Sequence, residues 1–313
     1  MNMDKAKKKE LMQRLRGVSI PLITPLKASG EVDENGFRKN IQHMIEKGIC
    51  EGQGFLLVLG STGEFPSFSK DEAVRIAQIG VKECKGKVPV IVGCNHSNIR
   101  DVIEFGNYVA GLGVDAILVR PVYYWGVPSE EMILSHYGLV AKEVPAAIVV
   151  YNRCLSNVVD IPTSTAEKLA EMDAVVALKD GTSSLSKFDK TVKALTGKIS
   201  VINGWGEPYE PYTLLMGTDG FLSVAANFMP EISLKLFKLA ESGDFVGAEK
   251  IHRSMCPMLD TLFSGTYGQF IGLAKYAAEA VGLAGGPTRR PLPPPTEEQK
   301  AAMKKCLQDL GLC

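Results

Sequence analysis

The chain has only four histidines, at positions 43, 96, 136 and 252, and none stands in an i, i+4 pair or a His-x-His element. Its seven cysteines, at 50, 84, 94, 154, 256, 306 and 313, never take the C-x2-C or C-x4-C spacing of a metal knuckle. Both absences argue against a metal site, and an odd set of scattered cysteines reads as free thiols in a reducing compartment. No apolar run approaches the roughly 18 to 20 residues of a membrane span. Excess charge of either sign is missing too: Lys+Arg and Asp+Glu are both 35, so no global field draws nucleic acid or anionic membrane. No G-x-G-x-x-G follows the first apolar run, which weakens a dinucleotide-binding sheet. The charged start from Met1 to Glu10 is followed by no signal-peptide core. Residues 1–16 are therefore expected to be a solvated basic leader, and the protein to be cytoplasmic.

What is present is a rhythm. Short β-branched and aliphatic runs lie at Val18–Thr24, Gly54–Gly60, Val88–Gly93, Asp115–Arg120, Ala146–Tyr151, Ala174–Lys179, Ile199–Asn203 and Gly220–Val224. Amphipathic segments with helical spacing separate them; in the first, from Asp33 to Lys47, the apolar positions are Phe37, Ile41, Met44 and Ile45. Alternating strands and helices predict a parallel sheet, and eight such units favour a closed (β/α)8 TIM barrel over an open sheet. Residues 17–230 are assigned to this barrel. Residues 231–313 read as helices only and form a C-terminal helical extension broken by the turn-rich stretch from Gly285 to Pro295.

Barrels of this kind carry their chemistry at the C-terminal ends of the strands. Lys179 closes the run Ala174–Leu178 and precedes Asp180-Gly181-Thr182. A lysine there either reaches to the rim or is desolvated, and desolvation lowers an amine's pKa and makes it a nucleophile at neutral pH. Gly60-Ser61-Thr62-Gly63-Glu64 offers hydroxyls and backbone N–H groups suited to a carboxylate, although a plain tight turn would read the same way. Arg120-Pro121-Val122-Tyr123-Tyr124-Trp125 is an aromatic lid or an interface patch, and Tyr151 ends the fifth run with a phenol. An amine, two phenols and an anion cradle together suit a 2-oxo acid, whose ketone the amine attacks to give an electron-withdrawing iminium.

The ordered set Thr24-Pro25, Gly60–Glu64, Pro121–Tyr124, Tyr151-Asn152, Lys179-Asp180 and Gly220–Ser223 with Asn227 and Pro230 resembles the dihydrodipicolinate synthase and N-acetylneuraminate lyase family of Schiff-base lyases. The resemblance runs from Gly17 to the C-terminus. It implies that Lys179 forms the Schiff base and that Tyr151 moves the proton at the reacting oxygen. Ser61 and Tyr124 would complete a relay, within one subunit or, for Tyr124, across to a neighbouring one. Thr62 would hold the 2-oxo acid carboxylate, and the Leu222 backbone would line the pyruvyl pocket. It further implies a homotetramer built as a dimer of dimers, and no cofactor beyond the lysine. Dihydrodipicolinate synthases carry an arginine five positions after the tyrosine, where this chain has Ser156; Arg153 is the alternative partner for a distal carboxylate. In Asn203-Gly204-Trp205-Gly206-Glu207, only Glu207 remains of the acidic pair of sialate lyases, and Gly204 and Glu207 are expected to meet the substrate. Tyr-Asn-Arg with Lys-Asp-Gly also resembles 5-dehydro-4-deoxyglucarate dehydratases. Aldol cleavage or condensation is the first expectation. Dehydration or deamination through the same Schiff base, and a non-catalytic 2-oxo acid sensor, are the alternatives.

Overall fold

The computed structural model describes residues 3–124, 126–153 and 159–313. Its eight strands are β1 (Gly17–Pro21), β2 (Gly54–Val58), β3 (Val90–Gly93), β4 (Ala116–Val119), β5 (Ala147–Arg153), β6 (Val175–Gly181), β7 (Ser200–Asn203) and β8 (Gly220–Leu222). Each pairs in parallel with the next, and β8 closes on β1, as the rhythm of the sequence predicts. The helices preceding and covering them are α1 (Lys5–Arg14), α2 (Glu34–Glu46), α3 (Lys70–Cys84), α4 (Ile99–Leu112), α5 (Glu130–Glu143), α6 (Thr163–Ala170), α7 (Leu185–Leu195) and the single turn α8 (Tyr212–Leu215). Four more follow: α9 (Pro230–Glu241), α10 (Phe245–Leu262), α11 (Tyr267–Ala280) and α12 (Glu297–Asp309). No helix of the described residues is long and apolar enough to cross a membrane.

Strand alternation divides the core in two. Outward-facing Val18, Ile20, Leu56, Val58, Ile117, Val150 and Leu178 pack against the helices. Inward-facing Phe55, Leu57, Ile91, Leu118, Val149, Ala177 and Ile202 fill the lumen. The helix caps follow local chemistry: Ser69 and Glu72 form a reciprocal capping box on α3, and Thr266 and Gln269 do the same on α11.

Two expectations are corrected. The first residues are not a solvated leader. Asp4 caps α1, whose Leu11 is buried, and Leu15 just beyond it is wholly buried and joins the lumen cluster at the N-terminal end of the barrel. The lysines of this segment mask an apolar pair spaced i, i+4, which is the face that docks. Strands β5 and β6 also run two residues further than the sequence suggests, to Arg153 and Gly181. The extension matters because a strand residue two steps past Tyr151 lies on the same face as Tyr151.

Candidate active site at the C-terminal mouth of the barrel

The 28-residue spacing of Tyr151 and Lys179 becomes a register: Tyr151 pairs with Lys179 across β5 and β6, and Asn152 with Asp180. Tyr151 and Lys179 face the lumen above Val149 and Ala177, and both are buried. The Lys179 Nζ lies 4.1 Å from the centre of the Tyr151 ring. Below it the lumen is shut, with a residual void of about 10 Å³ lined by Leu15, Leu57, Leu118, Val149 and their neighbours. The amine is therefore approached from the C-terminal mouth alone. Asn152 and Asp180 point the other way, where Asn152 Nδ2 donates to Asp180 Oδ1 at 2.7 Å and to Asp160 Oδ1 at 2.9 Å. The bond to Asp180 ties β5 and β6 together behind the site.

Burial pushes the Lys179 amine below its usual value; the Tyr151 phenol opposes this, and the charges of Arg153 and Arg120 reinforce it. Burial would raise the Tyr151 phenol, but the charges of Lys179, Arg153 and Arg120 and a hydrogen bond from Ser61 overrule it, and the phenol lies below its ordinary value. The amine and the phenol thus act on each other across the shared register of β5 and β6. The Ser61 Oγ stands 3.4 Å from the Tyr151 hydroxyl.

The Gly60–Glu64 loop is held rigid from three sides. Leu59 and Glu64, which bracket it, are the two non-glycine residues with positive φ among the described residues, at 55° and 60°. Such conformations cost about 1–3 kcal/mol each and persist only where surroundings enforce them. Thr24 Oγ1 donates to the Gly63 carbonyl at 2.8 Å, and a side chain on Gly63 would stand 2.7 Å from the Leu22 carbonyl. The Glu64 carboxylate pairs with the fully buried Lys275 of α11 and accepts the Arg289 N–H at 2.8 Å. Thr62 is buried within this clamp, with Ser61 beside it at the mouth.

A model of the dihydrodipicolinate synthetase family matches residues 14–310. The chain belongs to that family. It is 31% identical over 301 residues to a 4-hydroxy-tetrahydrodipicolinate synthase of Methanopyrus kandleri, covering 96% of this chain and 97% of that protein. A 4-hydroxy-tetrahydrodipicolinate synthase of Acidiphilium cryptum is 30% identical, with 95% and 98% covered. Among solved structures, a monomeric dihydrodipicolinate synthase variant superposes with a TM-score of 0.89 at 27% identity, covering 96% of this chain and 99% of that one. YagE, a prophage protein of the same family from E. coli K12 solved with pyruvate, gives a TM-score of 0.87 at 27% identity, with 95% and 99% covered. Family membership makes this chain an enzyme, a lyase of the class I aldolase type.

Within this family member, the remaining expected residues fall into distinct places. Leu222 is nearly buried in the lumen, and its carbonyl lies so close to Gly206 that a side chain there would stand 2.3 Å away. Gly204 is glycine for backbone reasons: its N–H donates to the Asp180 carbonyl at 2.7 Å, and a Cβ would crowd that same oxygen. Arg153 is half-buried with its guanidinium 4.5 Å from the Tyr267 ring centre. Tyr124 is 72% exposed at the rim. Trp205 ties its loop inward, donating from Nε1 to the Thr182 carbonyl at 2.7 Å. Trp125, Cys154 and Ser156 lie outside the described residues.

Glu207, expected to meet the substrate, is engaged by the β8 loop. It is buried, accepts a hydrogen bond from the Ser223 hydroxyl and another from the Ala225 N–H at 3.2 Å, and burial raises its carboxyl to about 7. Gly206, at φ 77°, turns the chain so that this side chain goes under the β8 loop. Two residues absent from the sequence expectations join the site. Tyr267, at the start of α11, brings its hydroxyl within hydrogen-bonding reach of Thr62 and Ser61. Arg120, one step beyond β4, turns its guanidinium onto the Tyr123 ring at 4.6 Å and acts electrostatically on Tyr151. The signal for Arg120 was strand parity: Ala116 and Leu118 face the lumen, so Arg120 does too.

Proposed function

We propose that this enzyme condenses, or releases by aldol cleavage, pyruvate or a related 2-oxo acid through a Schiff base on Lys179. The observation that carries the reading is the buried Lys179 amine 4.1 Å from the Tyr151 ring centre, with the Tyr151 hydroxyl reaching Ser61. The amine adds to the ketone, the carbinolamine loses water, and the iminium draws electrons from the neighbouring carbon. Loss of a proton from that carbon gives an enamine that attacks an aldehyde, and the reverse sequence cleaves the bond. Tyr151 donates and accepts the proton at the departing or forming oxygen, with Ser61 relaying it. Thr62 and the backbone around it hold the 2-oxo acid carboxylate. Lys179 supplies the electron sink, so no separate cofactor is needed. Two family structures, YagE and the enzyme of Acinetobacter baumannii, are complexes with pyruvate, which supports the choice of first substrate. We assign a homotetramer in which the exposed Tyr124 meets a neighbouring subunit. Sedimentation velocity checks the assembly, and a monomer at working concentration would remove it.

The catalytic reading is tested by incubating the protein with millimolar pyruvate, reducing with borohydride and measuring intact mass. One pyruvyl adduct, localised to Lys179 by peptide mapping, is expected. A folded protein that gains no mass would refute it.

A further inference from the structure

Helix α11 meets the Gly60–Glu64 loop twice. Lys275 pairs with Glu64 at one end of the loop, and just over two turns earlier on the helix Tyr267 brings its hydroxyl within reach of Ser61 and Thr62. The two contacts differ in kind. The first joins fully buried charges, whereas the second ends on the serine whose Oγ stands 3.4 Å from the Tyr151 hydroxyl. Two phenols, Tyr151 from β5 and Tyr267 from α11, therefore flank one small hydroxyl, and the charge of the first acts on the second. Tyr124, 72% exposed at the rim, is the second tyrosine to which the family resemblance points. Tyr267 reaches the same serine from within the chain.

The Tyr267 ring is fixed in place. The Arg153 guanidinium covers it at 4.5 Å, and the Phe270 ring lies 5.5 Å away. Tyr267 is the first residue of α11, and the capping box of Thr266 and Gln269 sets the direction in which that helix starts. Gly268 lets the Leu292-Pro293 segment press on this turn; a Cβ there would stand 2.5 Å from Pro293 Cδ. The residue as a whole is 38% exposed, but its hydroxyl is desolvated in the site, and this raises the phenol to about 12. The hydroxyl therefore keeps its proton and is a donor. A serine hydroxyl carries one proton and rotates to suit its neighbours. A donor on one side of the Ser61 oxygen leaves the Ser61 proton for the acceptor on the other side, which is Tyr151.

We infer that Tyr267 is a positioning residue for the proton transfer: its hydroxyl donates to Ser61 and so turns the Ser61 proton toward Tyr151. The inference rests on the Schiff-base reading for its chemistry and on the chain Tyr267–Ser61–Tyr151 for its geometry. Tyr151 gains and loses a proton in each turnover, so its phenolate must be stabilised where it is buried. Lys179 on β6, Arg120 beyond β4 and Arg153 on β5 act on it as charges, and Ser61 as a hydrogen-bond partner. A Ser61 hydroxyl held as a donor stabilises the phenolate as it forms, and Tyr267 strengthens that bond by polarising Ser61 from behind. Arg153 serves both phenols, lying over the Tyr267 ring and acting on Tyr151. The C-terminal helices are then part of the catalytic apparatus and not an appendage to the barrel.

The test uses the full-length enzyme and Tyr267→Phe, which removes a single oxygen. In the substrate-free protein the Tyr151 ionisation is read as the ultraviolet difference spectrum that Tyr151→Phe abolishes. It should move up by about half a pH unit or more in Tyr267→Phe, because Ser61 loses the donor behind it. Exchange of the pyruvate methyl protons with deuterated solvent reports iminium and enamine formation without a second substrate. Its maximal rate should fall by about tenfold or more, while the KM for pyruvate changes by less than about threefold. Tyr267→fluorotyrosine keeps the hydroxyl as a stronger donor. It should restore most of the rate and bring the Tyr151 ionisation back to its wild-type position or below. The assignment is overturned if Tyr267→Phe leaves the Tyr151 ionisation in place, if the loss is in KM alone, or if the fluorotyrosine enzyme behaves like Tyr267→Phe. A larger loss of exchange in Tyr124→Phe than in Tyr267→Phe overturns it as well. Wild-type enzyme that neither exchanges pyruvate protons nor traps with borohydride sinks the Schiff-base reading. The Tyr151 ionisation needs no substrate, so it still decides whether Tyr267 acts on that phenol.

Discussion

Two lysines of this barrel are buried, and only one has a carboxylate in contact. Lys275 on α11 is wholly inaccessible; it pairs with Glu64 and donates to the Pro287 carbonyl at 2.9 Å. Lys179 is 6% exposed; it has the Tyr151 phenol beside it and two arginines nearby. Burial lowers both amines, but Lys275 has a full negative charge in contact to hold its proton, while Lys179 has only the weakly acidic Tyr151 phenol. A compensated buried cation is structure and an undercompensated one is a reactive group. The two are linked, since the Lys275–Glu64 pair anchors the very loop that presents Ser61 and Thr62.

Lys179→Ala separates the pair most sharply. Adduct formation and turnover should vanish while the melting temperature holds or rises, because a buried amine without a carboxylate partner contributes little to the fold. Intact mass and calorimetry read the two halves. Tyr151→Phe should lower kcat by about 10²–10⁴-fold, the usual worth of a positioned acid–base group. Borohydride trapping of pyruvate should suffer less than turnover, because reduction captures even slowly formed iminium. An equal loss in both would mean the phenol serves only imine formation.

Lys275→Met should do the opposite of Lys179→Ala. It strands Glu64 as an unpaired buried carboxylate at a cost of about 3–5 kcal/mol. The comparison breaks if Lys275→Met melts like wild type, or if Glu64→Gln added to it restores none of the loss in chemical denaturation. The KM for the 2-oxo acid should rise in the single variant, since the positive-φ loop loses its anchor. Leu15→Ala, at the opposite end of the barrel, should cost about 2–5 kcal/mol by opening the closed lumen floor, with KM unchanged.

These contrasts mark what could be read from the sequence. Lys179 was legible because a cation at the end of an apolar strand violates the pattern, and Tyr151 because a fixed spacing on successive strands becomes a register. Lys275 breaks its pattern just as visibly, inside the apolar stretch Ile271–Ala278, yet its partner Glu64 lies far away in the chain and only the fold joins them. Arg120 was hidden inside an aromatic loop motif until parity placed it in the lumen. Tyr267 enters from a helix outside the barrel, and no periodicity within the barrel announces it. Glu207 sits where the sequence did not announce it, beyond the positive-φ turn at Gly206 and bonded to Ser223 and Ala225 of the β8 loop. The basic composition of α1 concealed the one apolar face that seals the barrel.

The smallest effect concerns the buried Glu207 and its neighbour Glu210. Burial raises the Glu207 carboxyl from an ordinary 4.5 to about 7, and burial raises Glu210 to about 8, against hydrogen bonds from Asn203 and Thr213. An acid whose folded pKa is raised binds more protons folded than unfolded. Stability is therefore unaffected below pH 4.5, falls as pH rises from 4.5 through 7 to 8, and is level above that. The two carboxyls therefore destabilise the fold together across that window. Glu207→Gln should flatten part of the decline and stabilise the protein at pH 8 by about 1–3 kcal/mol while doing nothing for it at pH 5. Urea unfolding across pH 5 to 8 checks the slope. A variant with wild-type pH dependence would mean that the fold does not raise the Glu207 carboxyl.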